Sequence, residues 1–245
     1  MKYGKFFCKV YETCGWNYYS ETFGELLVKW LTKQHISIKK ALDLGCGTGV
    51  LCKILADAKI EDSKIEVQGV DLSESMIEIA RRDYPELKFE TGNMITYHPK
   101  DKMDLVTCVY DSINHILDME DVKKVFQNVA EYLKEDGYFI FDFLHEDKIE
   151  EIPPTILEET DEGTIQFQLT KDQKKKILSL CFYKQKGEVI LEKETIEERI
   201  YDREWILAAL QEAGFTRIQM KKSLLDVSNM DNIEEKDGWI VIAQK

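Results

Sequence analysis

The chain has 245 residues, 44% of them hydrophobic, and a formal net charge of −13 at pH 7. This length can bury the core of one good-sized domain and a smaller lobe, and the composition excludes a disordered chain or a coiled coil. The negative charge opposes contact with a phosphate backbone, so we expect no nucleic-acid partner.

The sequence contains no recognisable targeting or membrane-spanning segment. Its first residues, MKYGKFFCKVYETCGW, lack the apolar core of a secretion signal, and no stretch reaches the roughly 18 apolar residues of a membrane span. The six cysteines form no C-x-x-C pair and mostly lie in apolar runs, which is typical of reduced thiols. We therefore expect a cytoplasmic protein with no disulfide, no metal site and no membrane partner, and the oligomeric state stays open.

Apolar runs of strand length alternate with segments of helical period in the first part of the chain. IKKALDL precedes the helical TGVLCKILADA, KIEVQGVDL precedes SESMIEIARRDY, and MDLVTCVYD precedes DMEDVKKVFQNVAEYL, which leads into GYFIFDF. Parallel strands need such helical crossovers and are buried on both faces. The pattern predicts an α/β fold with a doubly wound, mostly parallel sheet.

The alternation of strands and helices stops after Leu144. The segments TIQFQLT, KKILSLCFYKQ and GEVILEKETIEERIY alternate in part like strands, and no helical pattern separates them. We predict that residues 146–200 form an inserted antiparallel β lid, and that residues 1–145 and 201–245 form the main domain. DREWILAALQEAG then predicts a helix with Asp202 as its N-cap and Gly214 just beyond its end, before two last strands in TRIQMKKSLL and GWIVIAQ.

A glycine-rich loop follows the first predicted strand. The spacing of Gly45, Gly47 and Gly49 differs from the G-x-G-x-x-G of dinucleotide loops, and the lysine of a P-loop is missing. Asp43 lies at the mouth of this loop, where a carboxylate would repel a phosphate and favour a cation. Asp71 ends the next predicted strand, where it can accept hydrogen bonds from both ribose hydroxyls. S-adenosylmethionine (SAM) meets both demands, because it carries a sulfonium, an ammonium and a ribose but no phosphate.

Two segments resemble a known family. LDLGCGTG resembles motif I of the class I SAM-dependent methyltransferases, and GVDLSESMIEIAR resembles their motif II segment. The chain is most similar to the small-molecule group that includes glycine N-methyltransferases and aminosugar N,N-dimethyltransferases. The resemblance implies a Rossmann-like sheet of seven strands, SAM as the cofactor, a small-molecule methyl acceptor and an inserted antiparallel sheet that roofs the active site.

The resemblance also implies further cofactor contacts. In FETGNMITY the family usually has an acid that contacts the adenine amino group, and the carbonyl of Asn93 can accept in its place, although Asn93 could also be a turn residue. Tyr11 and Tyr19 resemble N-terminal tyrosines that close over the cofactor, or they are core residues at a helix start. Leu72 and Met76 are core residues that could also touch the adenine. The predicted cofactor-binding residues are Asp43, Gly45, Cys46, Gly47, Gly49, Asp71, Leu72, Met76, Asn93, Met94, Tyr110 and Tyr19.

Candidates for catalysis follow the fourth and fifth predicted strands, at the edge where α/β sheets bind ligands. Asp111, Asn114 and His115 follow the fourth strand, and His145 follows the fifth. We take His115, His145 and Tyr11 as the catalytic candidates, although relatives often have tyrosine in place of His115. No carboxylate has an obvious spacing to orient either histidine, so we expect proton removal to be shared among weak bases or solvent.

The inserted segment adds one further expectation about the site. It has Ile196 where close relatives can have histidine before Glu-Glu-Arg, so a base from that position is in doubt. We expect Glu198 and Arg199 to form cross-strand ion pairs, although they could instead face the substrate.

Together these features predict a SAM-dependent methyltransferase that acts on a small molecule, with an amine favoured over a hydroxyl as the acceptor. The alternative is a noncatalytic SAM-binding partner or regulatory protein, which degraded cofactor motifs would favour. A nucleotide-dependent oxidoreductase is disfavoured by the loop spacing and by Asp43.

Overall fold

A computed structural model describes residues 3–60, 64–144, 155–160, 163–186, 189–221 and 239–245. His145, one of the catalytic candidates, lies outside these ranges. The elements of the main domain are helices α1 (Lys5–Thr13) and α2 (Tyr18–Lys33), β1 (Lys40–Leu44), α3 (Val50–Asp57), β2 (Glu66–Asp71), α4 (Glu74–Asp83), β3 (Lys88–Thr91), β4 (Met103–Cys108), a 3-10 helix (Ser112–His115), α5 (Met119–Tyr132) and β5 (Leu133–Phe143). The remaining elements are β6 (Thr155–Thr160), β7 (Gly163–Asp172), β8 (Ile177–Lys186), β9 (Val189–Arg199), α6 (Arg203–Glu212), β10 (Arg217–Lys221) and β11 (Trp239–Gln244).

Seven strands form the main sheet, in the order β10-β11-β5-β4-β1-β2-β3. Only β11 runs against its neighbours, and the other pairs are parallel. Leu42 and Leu44 of β1 pack into the core beneath α5 and α6, whereas Ala41 packs into the core beneath α2 and α3. Apolar side chains are therefore buried on both faces of the sheet, which confirms the doubly wound, Rossmann-like α/β prediction.

The strand order reverses between β1 and β4. The chain moves from β1 outward through β2 to β3, then returns across β1 to β4 and β5. The loops after β1 and β4 therefore diverge and leave a crevice at the carboxyl edge of the sheet, which is the usual ligand position in doubly wound folds. This edge carries the glycine-rich loop and the 3-10 helix.

Four strands form a second, antiparallel sheet in the order β6-β7-β8-β9. The sequence predicts three of them and misses β6, whose sequence TILEET ends in polar residues that hide the apolar alternation. Phe167, Phe182 and Ile196 of this sheet pack against Phe7 and Val10 of α1. The second sheet thus covers α1 near the carboxyl edge of the main sheet.

Asn114 of the 3-10 helix connects the two ends of the inserted segment. Its amide nitrogen donates to the carbonyl of Arg199 at 2.7 Å, and its amide oxygen accepts from the backbone nitrogen of Leu144 at 3.0 Å. Arg199 also donates through Nε to the carbonyl of Leu117 at 2.6 Å. These bonds fix where the chain leaves the main sheet and where it returns, so Asn114 has a structural role here.

The helix after the insert begins and ends close to the predicted residues. Asp202 occupies the N-cap position of α6, but its carboxylate makes no capping bond and instead accepts from Lys176 at 2.5 Å. Gly214 has a left-handed backbone with φ of 98°, and the nitrogen of Phe215 donates to the carbonyl of Leu210, as in a glycine-terminated helix. In the described ranges no helix is both long and apolar enough to cross a membrane. All six cysteines are free thiols.

Candidate active site

The glycine-rich loop after β1 is held against the end of β2. The backbone nitrogens of Gly45 and Cys46 donate to the carbonyl of Val70 at 2.7 and 3.1 Å. Gly45 has φ of 74°, and a Cβ atom there would lie 2.7 Å from Oγ of Ser112. Gly47 also has a positive φ, of 52°, but a Cβ atom there would meet nothing within 4 Å. The loop therefore needs glycine at these positions for its backbone, and it leaves space above Gly47.

Asp71 connects this loop to the start of α4. One carboxylate oxygen accepts from the nitrogen of Gly47 at 3.0 Å, and the other accepts from the nitrogen of Ser73 at 2.7 Å. Burial raises the pKa of Asp71, while these two backbone hydrogen bonds favour its ionised form. Each oxygen keeps a lone pair that can accept a further hydrogen bond, for example from a ribose hydroxyl.

Asp43 lies deeper, at the end of β1, and is only 1% exposed. Its carboxylate accepts from the hydroxyl of Thr107 at 2.6 Å and from the thiol of Cys52 at 3.8 Å. Burial raises its pKa to about 7, and these two hydrogen bonds oppose the shift. A cation bound nearby would lower this pKa, so the position suits a ligand with positive charge and not a phosphate.

A cavity of about 460 Å³ opens between this loop, α4 and the 3-10 helix. That volume lies in the range of small-molecule and cofactor sites. Ten of the twelve predicted cofactor residues line it: Asp43, Gly45, Cys46, Gly47, Asp71, Leu72, Met76, Asn93, Met94 and Tyr110. Two catalytic candidates, Tyr11 and His115, line it as well. The acids, the glycine loop and these residues fit the demands of SAM, which are a cation site and a ribose site.

The other two predicted cofactor residues do not line this cavity. A Cβ atom at Gly49 would lie 2.7 Å from the ring of Phe89, so this glycine allows the start of α3 to pack closely on the sheet. Tyr19 stacks on Tyr110 with ring centroids 4.7 Å apart, and its hydroxyl donates to Asp142. Tyr19 thus supports Tyr110, which lines the cavity, and Gly49 has a packing role.

Asp142 of β5, which is not among the residues predicted from the sequence, organises the turn after β4. Its carboxylate is 2% exposed and accepts from the backbone nitrogens of Tyr110 at 3.0 Å and Asp111 at 2.7 Å. Both residues have left-handed backbones, with φ of 60° and 51°, which is costly for a side chain as large as tyrosine. The signal for Asp142 was an acid inside the apolar strand FIFDF, since a buried acid needs hydrogen-bond donors.

A second cavity, of about 340 Å³, lies next to the first and beneath the inserted sheet. Aromatic rings from α1 and the insert supply much of its wall, and the ring centroids of Phe167 and Phe182 are 5.3 Å apart. Two acids, Asp111 and Glu198, also line it. Four residues line both cavities: Tyr3, Tyr11, Tyr110 and His115.

An acid from the insert fixes α1 beneath this sheet. Glu194 of β9 accepts from the backbone nitrogens of Gly4 at 2.6 Å and Phe7 at 3.1 Å. Gly4 is the N-cap of α1 and has no side chain that could cap it, so a carboxylate from another element satisfies the first donors of the helix. The insert and α1 therefore form one wall of the second cavity.

His115 lies where the two cavities meet, close to both acids. Its Nε2 atom is 2.5 Å from the hydroxyl of Tyr3, 3.7 Å from Oε1 of Glu198 and 3.9 Å from Oδ1 of Asp111. Burial lowers the pKa of His115 to about 4 and raises the pKa of Glu198. The imidazole is thus neutral at pH 7.

The turn after β4 and strand β9 bring two acids to His115. The sequence offers no carboxylate with an obvious spacing to orient either histidine, and in the structure Asp111 and Glu198 lie 3.9 and 3.7 Å from Nε2 of His115. The cross-strand ion pairs expected for Glu198 and Arg199 are absent among the described residues, because Leu178 and Ile177 face these two residues on β8. Ile196 is buried in the aromatic cluster and lines the second cavity.

Comparison with known proteins finds a family model that covers the loop and the crevice. Residues 41–137 match the family model described as a methyltransferase domain. The match shows that this part of the chain is similar to a methyltransferase domain. This part spans β1 to the start of β5 and includes the loop, Asp71 and the turn after β4.

Two curated relatives of the methyltransferase domain match it over part of their length. A protein of Geobacillus sp. (strain WCH70) that is named as a methyltransferase is 38% identical over 108 residues, which are 42% of this chain and 42% of the relative. The dTDP-3-amino-3,6-dideoxy-alpha-D-glucopyranose N,N-dimethyltransferase of Streptomyces fradiae is 31% identical over 99 residues, 40% of this chain and 37% of the relative. The chain therefore spans less than half the length of these relatives.

One solved structure extends the similarity of the methyltransferase domain to the rest of the fold. A SAM-dependent methyltransferase from Clostridium acetobutylicum ATCC 824 superposes with a TM-score of 0.73 at 24% identity, over 91% of this chain and 90% of that one. The similarity therefore covers the inserted sheet as well as the main sheet, and it shows a shared fold.

Proposed function

We propose that the protein transfers a methyl group from SAM to an amine of a small molecule bound in the second cavity. The observation that carries this proposal is the contact between the two cavities at Tyr3, Tyr11, Tyr110 and His115. One cavity suits SAM, and the adjoining one has aromatic walls and two acids, which suit an amine that carries apolar groups. The amine specificity printed in the name of the Streptomyces fradiae relative supports the same choice.

The cofactor would be held by residues of the 460 Å³ cavity. Asp43 offers the negative charge for a cation, Asp71 offers acceptors for the ribose, and Gly47 leaves room above the loop. SAM supplies an electrophilic methyl group on a sulfonium, and the sulfur keeps the electron pair of the C–S bond when the acceptor nitrogen takes the methyl. The chain itself aligns the two molecules and excludes water, which is worth up to about 7–11 kcal/mol of the barrier.

The inserted sheet would act as a lid over the acceptor. Glu194 fixes α1 to β9, and Asn114 ties both ends of the insert to the 3-10 helix. These contacts keep the lid in place over the carboxyl edge of the main sheet. The division into a main domain and a lid at residues 146–200 is part of this proposal.

Labelled SAM tests the proposed reaction. Purified protein is incubated with methyl-labelled SAM and separate pools of amine, hydroxy and thiol metabolites, and labelled products are identified by mass spectrometry. We expect label in the amine pool, and less label at sub-saturating SAM with Asp71→Ala, which would lose the ribose contact. Label in the hydroxy pool alone would contradict the amine assignment. Tight SAM binding without any product would favour a noncatalytic SAM-binding protein.

A further inference from the structure

Two acids four residues apart on β9 have opposite surroundings. Glu194 accepts two backbone hydrogen bonds at the start of α1. Glu198 is 6% exposed, and no residue in the described ranges donates a hydrogen bond to it or forms an ion pair with it through lysine or arginine. Glu198 lines the second cavity, so a donor that reaches its carboxylate can come from whatever occupies that cavity, and the position suits a ligand that brings one.

The groups that face Glu198 do not supply that donor. Tyr3, His115 and Asp111 line the same cavity as Glu198. Nε2 of His115 forms a hydrogen bond with the hydroxyl of Tyr3 and lies 3.7 Å from Glu198, too far for a hydrogen bond to its carboxylate. The neutral ring offers no charge to either acid. Asp111 adds negative charge on the other side of the ring. Two acids and a neutral imidazole at one position favour a cation there.

We infer that Glu198 receives the ammonium of the acceptor and takes its proton, which makes it a catalytic residue of the acceptor cavity. This inference rests on the proposed amine acceptor. Burial raises the pKa of Glu198 to about 8, and an ammonium beside the carboxylate lowers it again, so the bound cation favours the ionised form that can act as a base. The N–H bond of the ammonium then breaks, its electron pair stays on nitrogen as the nucleophilic lone pair, and an O–H bond forms on the Glu198 carboxylate. The proton passes to water when the product leaves. Asp111 and His115 act as positioning residues that bound the ammonium site.

The first test measures binding and needs no knowledge of the acceptor. Benzylamine and benzyl alcohol have nearly the same shape and differ in charge, so calorimetry with each probe, in the presence of S-adenosylhomocysteine, isolates the contribution of the ammonium. We expect the unmodified protein to bind benzylamine at least about tenfold more tightly than benzyl alcohol, as one hydrogen bond to a charged group provides. Glu198→Gln should bind both probes equally. The control Glu192→Gln removes an exposed acid from the same strand and should keep the preference.

The second test measures turnover against pH with an amine acceptor found by labelled SAM. Glu198→Gln should lower kcat at pH 7 by about 10²- to 10⁴-fold, the usual effect of losing a general base. The deficit should shrink as the pH approaches the pKa of the amine, about 10.4 for an alkylamine, because the free amine no longer needs a base. SAM affinity should not change.

Several results would overturn the inference. Equal binding of the two probes by the unmodified protein would remove the ammonium site, and a deficit of Glu198→Gln that is constant across pH would indicate a structural role. Unchanged amine turnover in Glu198→Gln would refute the role of Glu198 as a base and leave the proposed amine methyltransferase activity intact. Methylation of alcohols alone would refute both the role of Glu198 and the proposed amine acceptor.

Asp111, His115 and Glu198 also have the spacing of a metal site, with ligand atoms within 4.8 Å. Two results together would assign these three residues to a metal site instead. The protein would bind Zn²⁺ stoichiometrically and lose that binding in Glu198→Gln, and a chelator would abolish its turnover.

Discussion

The two adjoining cavities are built in different ways. The 460 Å³ cavity proposed for SAM, here the cofactor cavity, draws its acids and its glycine loop from β1, β2 and the turns that follow them. These residues lie within about 30 residues of chain, from Asp43 to Ser73. The second cavity, here the acceptor cavity, combines residues from α1, the turn after β4 and three strands of the insert. Its lining residues are far apart in the sequence: Tyr3 and Glu198 are separated by about 195 residues. The first cavity is therefore a local feature of the sequence, and the second is a product of the tertiary fold.

This difference suggests that the two cavities can be changed independently. The bonds that shape the cofactor loop run to the end of β2, while those that shape the acceptor cavity run between α1, the 3-10 helix and β9. Substitutions in the first set should alter SAM affinity and leave acceptor recognition intact, and those in the second set should do the reverse. Substitutions of Asp71, Gly47, Phe182 and Asp43 test this separation.

Asp71→Ala should weaken SAM binding the most. Loss of hydrogen bonds to a charged acceptor costs about 1.5–3 kcal/mol, or about 10- to 150-fold in affinity by calorimetry. Asp104→Ala is a matched control, because Asp104 also accepts from two backbone nitrogens, at 3.0 and 2.8 Å, but at the opposite edge of the sheet. Both variants should lose stability, and only Asp71→Ala should lose SAM. Unchanged SAM affinity in Asp71→Ala would remove this residue from the cofactor site.

The same difference explains how much the sequence could predict. The doubly wound sheet follows from local periodicity, and the loop acids follow from the chemistry of one segment, so both were accessible. Glu198 and Tyr3 were not, because their proximity to His115 depends on how the insert folds back over α1. The prediction of ion pairs for Glu198 and Arg199 was wrong for the same reason. The local sequence pattern does not fix which strand residues face each other, and the pairing of β8 with β9 places apolar residues opposite both.

Gly47→Ala should weaken SAM binding by about 5- to 150-fold. The added methyl group would meet no protein atom within 4 Å, so it would enter the space above the loop, where overpacking costs about 1–3 kcal/mol. Gly214→Ala is the control, since Gly214 also has a positive φ and open space around its Cβ position but lies after α6. Both variants should lose about 1 kcal/mol of stability through backbone strain. Equal SAM affinity of the two variants would place Gly47 outside the cofactor site.

Phe182→Leu should change acceptor recognition and leave SAM binding intact. Phe182 is 2% exposed and forms part of the acceptor cavity, and a conservative apolar exchange costs less than about 1.5 kcal/mol, so the KM for the acceptor should rise up to about tenfold. Phe215→Leu makes the same exchange at a residue of equal exposure in the core beneath α6. It should lose similar stability without a change in KM. A parallel loss of SAM affinity in Phe182→Leu would show that the two cavities are coupled.

The smallest expected effect is a pH dependence of SAM binding through Asp43. Burial raises the pKa of Asp43 to about 7, and only its ionised form attracts a cation, so SAM affinity should fall as the pH drops through this value. From pH 8 to 6.5 the ionised fraction falls about fourfold, which sets the expected loss. The stability of the SAM-free protein should change in the opposite sense: the unfolded carboxyl ionises near 3.8, so stability decreases as the pH rises from about 4 to 7. Asp43→Asn should abolish both slopes. If calorimetry and thermal unfolding keep both slopes in Asp43→Asn, another group controls them and the cation site lies elsewhere.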